Sequence, residues 1–509
     1  MPSRTPGLAA AALAGLVAGG TGIALAELVA GVLPGAPSVV TSVGSLIISL
    51  QPSGAKQLVV DLFGTGDKLV LSVVVLVIAL LITGLLGVVA RSRPTLSEGG
   101  FVAFGALGLY AALQDSQVDP LLATVVAVAT IVVAIVILRR LLEVAARPEP
   151  TAEMPDWSRR RFIGTSLAVA GAAAVGGGIG RVLLEREHAQ AASIPPLPAP
   201  AASIAAPRAA ASLDVPGITP IVMQNRDFYR IDTQLLTPRL DASTWSMRVS
   251  GMVDHPLSLT YGQLLAMPQF EQYVTIACVS NEVGGDLVGN ARWSGVRLVD
   301  VLARAGVQDG ATQLVGRAFD GWTAGFPTSW LDVAGRDAMI AVGMNGEALP
   351  PQHGFPARLI VPGLFGYVSN TKWLTGIELT TLEAFDAYWI RLGWAKEGPI
   401  LTQSRIDTPR GSGLAPGSVP VAGVAWAPKR GISKVEVQVD DGEWNPAELS
   451  QAISDATWVQ FVYRWPATPG SHLLRVRATD GTGTLQSAEV TRPDPDGARG
   501  YHTVRVNVQ

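Results

Sequence analysis

Almost all of the apolar excess in this 509-residue chain lies before residue 185, in runs long enough to cross a bilayer. A spanning helix needs about 20 mostly apolar residues. Leu8–Leu33 qualifies, with Glu27 as its only charge, and Leu69–Ala90 and Leu121–Leu138 are clean. Phe162–Leu184 is Ala/Gly-rich but uncharged until Arg181, Phe101–Leu113 is short, and Val39–Leu50 reads as a surface or re-entrant piece. Basic residues cluster at Arg91/Arg93, at Arg139/Arg140/Arg147 and at Arg159–Arg161, whereas Gln114–Pro120 carries only Asp115 and Asp119. Cytoplasmic loops collect Lys and Arg, so the three clusters share one side only if Phe101–Leu113 also crosses. Residues 1–187 therefore read as an all-α transmembrane anchor of about five helices, multi-pass in the cell membrane, with everything after residue 185 extracytoplasmic.

Ser158-Arg-Arg-Arg-Phe-Ile163 has the form of a twin-arginine export signal or, equally, of a cytoplasmic basic anchor. No histidine precedes His188, so the helices lack the usual axial ligands of a b-type haem; no haem is expected, and the helices read as an anchor or a partner contact. A net charge of −3 without a long basic run argues against nucleic acid as a partner.

Residues 188–222, with Pro195-Pro-Leu-Pro-Ala-Pro200, read as an exposed Ala/Pro linker. Residues 223–398 mix short helices (Tyr261–Met267, Leu298–Ala305) with strands (Tyr273–Ala277, Leu359–Pro362), an α+β pattern. Residues 399–509 alternate apolar and polar positions around Asp440-Asp-Gly442 and Asp480-Gly-Thr-Gly483 turns, as at Val435, Val437 and Val439, in Trp458–Trp465, in Leu473–Ala478 and in His502–Val508. That pattern predicts a β-sandwich of immunoglobulin-like size.

Cys278 is the only cysteine, so the chain has no internal disulfide. A lone thiol is either a small buried apolar group or a chemical tool. It lies in Thr275-Ile-Ala-Cys-Val-Ser-Asn281, followed by a glycine-rich stretch and Ala291-Arg-Trp-Ser-Gly-Val-Arg-Leu298. Before it stand Asn225-Arg-Asp-Phe-Tyr-Arg-Ile-Asp232 and Trp245-Ser-Met-Arg-Val-Ser-Gly251. After it come Met344-Asn-Gly-Glu-Ala-Leu-Pro350, His353-Gly-Phe-Pro-Ala-Arg-Leu-Ile-Val-Pro-Gly363 and Lys372-Trp-Leu374. In order and spacing these segments resemble the molybdopterin domain of the sulfite oxidase family, which also carries a β-sandwich after that domain.

The resemblance implies a molybdenum–molybdopterin cofactor with Cys278 as the protein's metal ligand, a soft anionic thiolate suited to a high-valent metal. It assigns Arg358 and Lys372 to the pterin phosphate or ring edge, His353 to the pterin ring, and Ser369 and Thr371 to the phosphate. Asn225, Tyr229 and Arg230 stand where the family makes its first cofactor contacts. Two features depart from the family: the arginines that follow its cysteine are replaced by Val279-Ser-Asn-Glu-Val283, and Trp322 falls where its active-site tyrosine stands, by alignment on Gly325-Phe-Pro327. Glu282 disfavours a dianion and indole only donates, so a small neutral substrate such as a sulfoxide or an N-oxide suits the site better than sulfite. The implied enzyme transfers an oxygen atom in a two-electron reaction and needs a separate quinone- or cytochrome-linked partner at the membrane; homodimerisation through the sandwich is a further implication. Three other readings stay open: a methionine-sulfoxide reductase on the same fold, a Cys278/His353 thiol hydrolase, and a non-catalytic membrane-tethered binding module.

Overall fold

The computed structural model describes residues 6–50, 67–115, 117–146, 157–189, 196–201, 203–334 and 338–509. It divides into two compact units: Met1–Gln190 with Thr233–Arg239, and Ala191–Asp232 with Leu240–Gln509.

The first unit is helical: α1 (Leu8–Val32), α2 (Val39–Leu50), α3 (Asp67–Val89), α4 (Pro94–Ala112), α5 (Pro120–Ala145) and α6 (Trp157–Ala189). Among the described residues, α1, α3, α5 and α6 contain the four stretches long and apolar enough to cross a membrane. Phe101–Leu113 falls within the 19-residue α4 and its C-terminal cap, and is not one of the four. Proline at the start of α4 and of α5 suits a first turn whose N–H groups have no intrahelical partner, and the Asp119 side chain caps α5 by accepting from Leu122 N at 2.9 Å. A fork of two bonds from Arg139 of α5 to Glu98 of α4, both 2.8 Å, holds the start of α4 beside the end of α5. At the other end of these helices, Asp119 N donates to Gly35 O, just past α1. Ser158 and the arginines after it lie in the first turns of α6.

Among the described residues, the second unit holds four sheets. One runs β2 (Leu257–Thr260), β1 (Ser246–Gly251), β10 (Leu374–Thr380), β5 (Gln313–Ala318), β6 (Thr323–Pro327), with β1 and β10 parallel. A second runs β3 (Gln269–Ala277), β4 (Val288–Arg297), β7 (Met339–Met344), β8 (Glu347–Ala348), with β9 (Arg358–Ile360) also on β7. These two sheets and the short helices α7 (Tyr261–Leu265), α8 (Leu298–Ala305), α9 (Trp330–Ala334) and α10 (Gly366–Ser369) enclose one apolar core. Helix α8 has the residues the sequence predicts, because Leu298, Val301, Leu302 and Ala305 share a buried face and Gly306 ends it at φ +66.

The remaining sheets are β11 (Gln403–Thr408), β13 (Gly417–Trp426), β17 (Val459–Ala467), β16 (Glu448–Leu449), and β12 (Gly411–Leu414), β19 (His502–Val508), β18 (Gly470–Asp480), β14 (Ile432–Val439), β15 (Trp444–Pro446). Alternate residues of both, among them Ile406, Val421, Val435, Val437, Leu474, Val476 and Val506, bury a second core, as face-to-face sheets require.

One sequence expectation changes here, and another gains detail. The boundary at residues 398/399 does not separate compact bodies: Val424, Trp426 and Trp458 of the sandwich are buried in the first core, and Trp458 Nε1 donates to Ile221 O at 2.9 Å. The Ala/Pro stretch is exposed over much of its described length, and its backbone is also tied to the sheets. Ala201 N donates to Gln269 O, Leu213 N to Gln460 Oε1 and Thr219 N to Asp407 Oδ2. Small residues and prolines let that backbone lie flat on the sheets, and its N–H groups find acceptors there.

Candidate active site

Cys278 is the first residue after β3 and opens the ten-residue turn into β4. Its N–H donates to Leu287 O at 2.9 Å and its carbonyl accepts from Asn281 N at 3.1 Å, while Asn281 Oδ1 accepts from Leu287 N at 2.8 Å. Those bonds close the loop, and the sandwich braces it. Arg405 Nη1 donates to Gly285 O at 2.7 Å, with Arg405 Nε held by Asp407 at 2.7 Å. The His502 ring occupies the place a side chain at Gly284 (φ +81) would need. Cys278 is half-buried.

The segment before β1 runs along β4: Met223 N donates to Asn290 O, and the Phe228 ring covers Gly289. Phe228 meets both Trp293 and His353 edge-on at 5.7 Å. The β7–β8 turn at Asn345 (φ 53) and Gly346 (φ 88) has the two left-handed positions a tight hairpin needs. Asn345 Nδ2 donates to Met223 O and to Asn225 Oδ1, each at 2.8 Å, and Asn225 Nδ2 is spent on Met344 O and Glu347. The Asn225 side chain is therefore a staple. Its carbonyl does the positioning, accepting from His353 Nε2 at 2.7 Å.

A carbonyl only accepts, so Nε2 carries the His353 proton and Nδ1 is left as an acceptor, buried and without a partner. Burial, with Lys372, Arg358 and Arg230 pushing the same way against the Asn225 bond, brings His353 down to about 3 and keeps it neutral. Arg358 is buried with its guanidinium 5.3 Å from the Trp293 ring, and Nη1 donates to His353 O at 3.2 Å. Burial lowers it to about 10, which leaves it cationic at neutral pH. Lys372 Nζ lies 3.0 Å from both Asp232 Oδ2 and Gln352 O, and Arg230 Nε lies 3.1 Å from the same carboxylate. Burial outweighs that carboxylate and, with Arg358 and Arg230, brings Lys372 down to about 8. Burial and Cys278 push the Tyr229 phenol well above its ordinary value, with Arg358 opposing, so it stays an O–H donor.

These side chains suit an anionic, hydrogen-bonding cofactor. Arg230, Arg358 and Lys372 face a single carboxylate, Asp232, an excess of positive charge that matches a phosphate group. Five buried polar atoms without partners fall in this one block: His353 Nδ1, Arg358 Nε, both amide atoms of Asn370, and Thr371 Oγ1. A buried polar group in a native fold is normally satisfied, so the cluster marks a bound group. Among the described residues no set of three or more His, Cys, Asp or Glu side chains could hold a metal. A single thiolate at Cys278 fits a metal whose further sulfur ligands come from a pterin dithiolene.

The residues expected to meet the phosphate differ in what they offer. The Ser369 hydroxyl is spent within its own turn, against Phe365 O at 3.0 Å and Leu364 O at 3.3 Å, whereas buried Thr371 Oγ1, beside Gly316 of β5, has no partner. Asn370, between them, also has an unpartnered amide, which lies beside Gly366 together with the Ala277 carbonyl, next to Cys278. Glu282 is exposed, so its charge acts on the site through screening solvent. Trp322 stands in the β5–β6 hairpin, which Phe319 N ties to Trp373 O at 2.8 Å, the residue after Lys372. Sequence reasoning passed over Asp232, although it closes the quoted 225–232 segment, and Asn370, which sits between two selected residues. Arg405 and His502 carry no local signal, because only the sandwich packing brings them to the cysteine loop.

Fold and site together define a molybdopterin-binding oxidoreductase. The family model for the oxidoreductase molybdopterin binding domain matches residues 234–389. The uncharacterized oxidoreductase YuiH of Bacillus subtilis is 36% identical over 158 residues, 31% of this chain and 76% of that protein. Human mitochondrial sulfite oxidase is 30% identical over 259 residues, 42% of this chain and 47% of that protein, so the chain spans about half the length of that relative. The sulfane dehydrogenase SoxCD of Paracoccus pantotrophus aligns at a TM-score of 0.49 and 23% identity, over 59% of this chain and 85% of that one. The chain belongs to the sulfite oxidase family of molybdopterin oxidoreductases, and its cofactor is a molybdenum cofactor.

Proposed function

We propose that this enzyme is anchored in the membrane, faces the extracytoplasmic side, and transfers an oxygen atom in a two-electron reaction with a small neutral substrate, a sulfoxide or an N-oxide. The observation that carries the reading is the cationic cluster behind Cys278 together with the absence of arginine from Val279–Val283. The positive charge is buried around Lys372 and Arg358, on the cofactor side, and the turn that follows Cys278 offers a dianion no cation of its own.

The cofactor, when bound, supplies the redox change and the oxygen acceptor. The chain's own residues do the rest. Cys278 supplies a thiolate held by a closed turn. His353 Nδ1 accepts from a ring N–H, and the Asn225 carbonyl fixes the ring's tautomer. Arg358 and Lys372 hold the phosphate charge, Asp232 keeping the ammonium protonated. Tyr229 presents an undissociated hydroxyl beside Cys278 and orients a substrate oxygen by donating to it.

Membrane anchoring rests on α1, α3, α5 and α6, and we assign a crossing to α4 as well. The Glu98–Arg139 pair and the Asp119–Gly35 bond make α4 and α5 antiparallel, with their linking loop at the end where α1 finishes. The arginines at 91, 93, 139, 140, 160 and 161 then share the opposite, cytoplasmic end. Thr233–Arg239 binds the first end: Gln234 O accepts from Lys68 at 2.7 Å, Arg239 O from Gln117 at 2.7 Å, and Thr237 O lies 2.7 Å from His188 Nδ1. Turnover of sulfite, sulfoxides and N-oxides with an artificial electron dye tests the substrate class. Faster turnover of sulfite than of every neutral substrate would defeat it.

A further inference from the structure

Between α1, α3 and α6 runs a groove of about 890 Å³, in the size range of small-ligand pockets. Its walls are apolar, with Val17 and Ala24 from α1, Leu76 and Leu80 from α3, and Gly177 and Gly178 from α6. Small residues make it. At Gly31 and Gly180, α1 and α6 meet backbone to backbone, whereas a side chain at Gly178 would meet nothing within 4 Å. One end carries the charged lining residues, Glu27, Lys68, Arg181 and Glu185, with Leu235 of the Thr233–Arg239 segment beside them.

That end is formally neutral, two cations with two carboxylates. Glu27 is buried, with the Ser38 hydroxyl at 2.8 and 3.0 Å from its two oxygens and the backbone N–H groups of Val39 and Val40 donating to it, and it faces the groove. Arg181 Nε holds Glu185 at 2.7 Å, and Nη1 donates to Thr41 Oγ1 at 3.1 Å. An anionic lipid head gains no net attraction here. A neutral ring that donates in one oxidation state and accepts in the other meets a carboxylate and two cationic donors, and an isoprenoid tail matches the apolar wall.

We propose that the groove binds a prenylquinone, its ring at the Glu27–Lys68–Arg181 end and its tail between α3 and α6, and that this quinone is the enzyme's two-electron partner. This rests on the redox reading above. Quinol releases two electrons and two protons and becomes quinone, one proton passing first to Glu27 and the other to water. Reduction of a sulfoxide or an N-oxide consumes two electrons and two protons and gives sulfide or amine plus water, so the exchange balances; oxidation of substrate runs it backwards.

The test uses the full-length, molybdenum-loaded protein in nanodiscs of zwitterionic phospholipid, with decylubiquinone as the probe. Wild type should bind one equivalent saturably and turn over with decylubiquinol. Gly178→Leu, at a lining position where a Cβ meets nothing within 4 Å, should weaken binding and slow quinol-linked turnover by about ten-fold or more while dye-linked turnover is unchanged; Glu27→Gln should do likewise. No saturable binding, binding undiminished in both variants, or displacement of the probe by anionic phospholipid overturns the proposal. Absence of dye-linked turnover in wild type would instead defeat the oxygen-transfer reading, with the binding titration still deciding the groove.

Discussion

Replacing Asp232 by the isosteric Asn removes the one carboxylate that faces Lys372, and the cost follows from the geometry. At 3.0 Å the pair is worth roughly 5 kcal/mol at an effective dielectric near 20, nearly four pKa units. Lys372, already at about 8, then sheds its proton inside the fold throughout pH 6–8. That escape caps the penalty, since neutralising the wild-type ammonium costs about 1.4 kcal/mol per unit below its folded value, or about 1.4 at pH 7 and about 2.7 at pH 6. The partly exposed Arg230 adds little. In wild type below pH 8, Lys372 is protonated both folded and unfolded and contributes no slope. In the variant the unfolded chain binds one more proton than the folded one, so stability falls as pH falls. Denaturation of the cofactor-free, full-length protein should show a difference of a few tenths of a kcal/mol at pH 8 that grows by about 1.4 per unit down to pH 6. A difference that is flat across that range would refute the electrostatic account of this cluster.

Arg405→Ala should raise hydrogen exchange of the 281–287 amides at least about ten-fold and destabilise the protein by about 3 kcal/mol, because it frees the Gly285 carbonyl and strands buried Asp407. Cofactor retention should show no step near pH 6.5, since His353 stays neutral down to about 3; retention that tracks an ordinary imidazole between pH 5 and 8 would contradict the tautomer assigned here. Asn370→Ala should release the cofactor more readily than Ser369→Ala, measured as pterin remaining after gel filtration, because only the Asn370 amide is left unpartnered.

The parts of the fold that were legible in the sequence are those set by local periodicity. Helix α8 follows from its apolar spacing and Gly306, and the sandwich strands follow from the alternation around Val435–Val439. The cysteine, His353, Arg358 and Lys372 were recognisable because their spacing is carried by short motifs. Residue roles were less so. Asn225 is named for its place in the first motif, but its carbonyl and not its amide meets His353, because the Asn345 turn claims the side chain, a contact 120 residues away. Ser369 has the right chemistry on a turn whose geometry spends its hydroxyl on the Phe365 and Leu364 carbonyls. The bracing of the cysteine loop by Arg405 and His502 depends on two separately patterned regions sharing one core, which no local pattern encodes.

The central claim is that Cys278 holds a molybdenum centre, and metal content measures it most directly. Full-length protein from a host that makes the pterin cofactor should carry about one molybdenum per chain, with oxygen-transfer activity lost in Cys278→Ala while the thermal melt is unchanged. Wild-type protein from such a host with molybdenum far below one per chain, or a Cys278→Ala variant with undiminished activity, would contradict it.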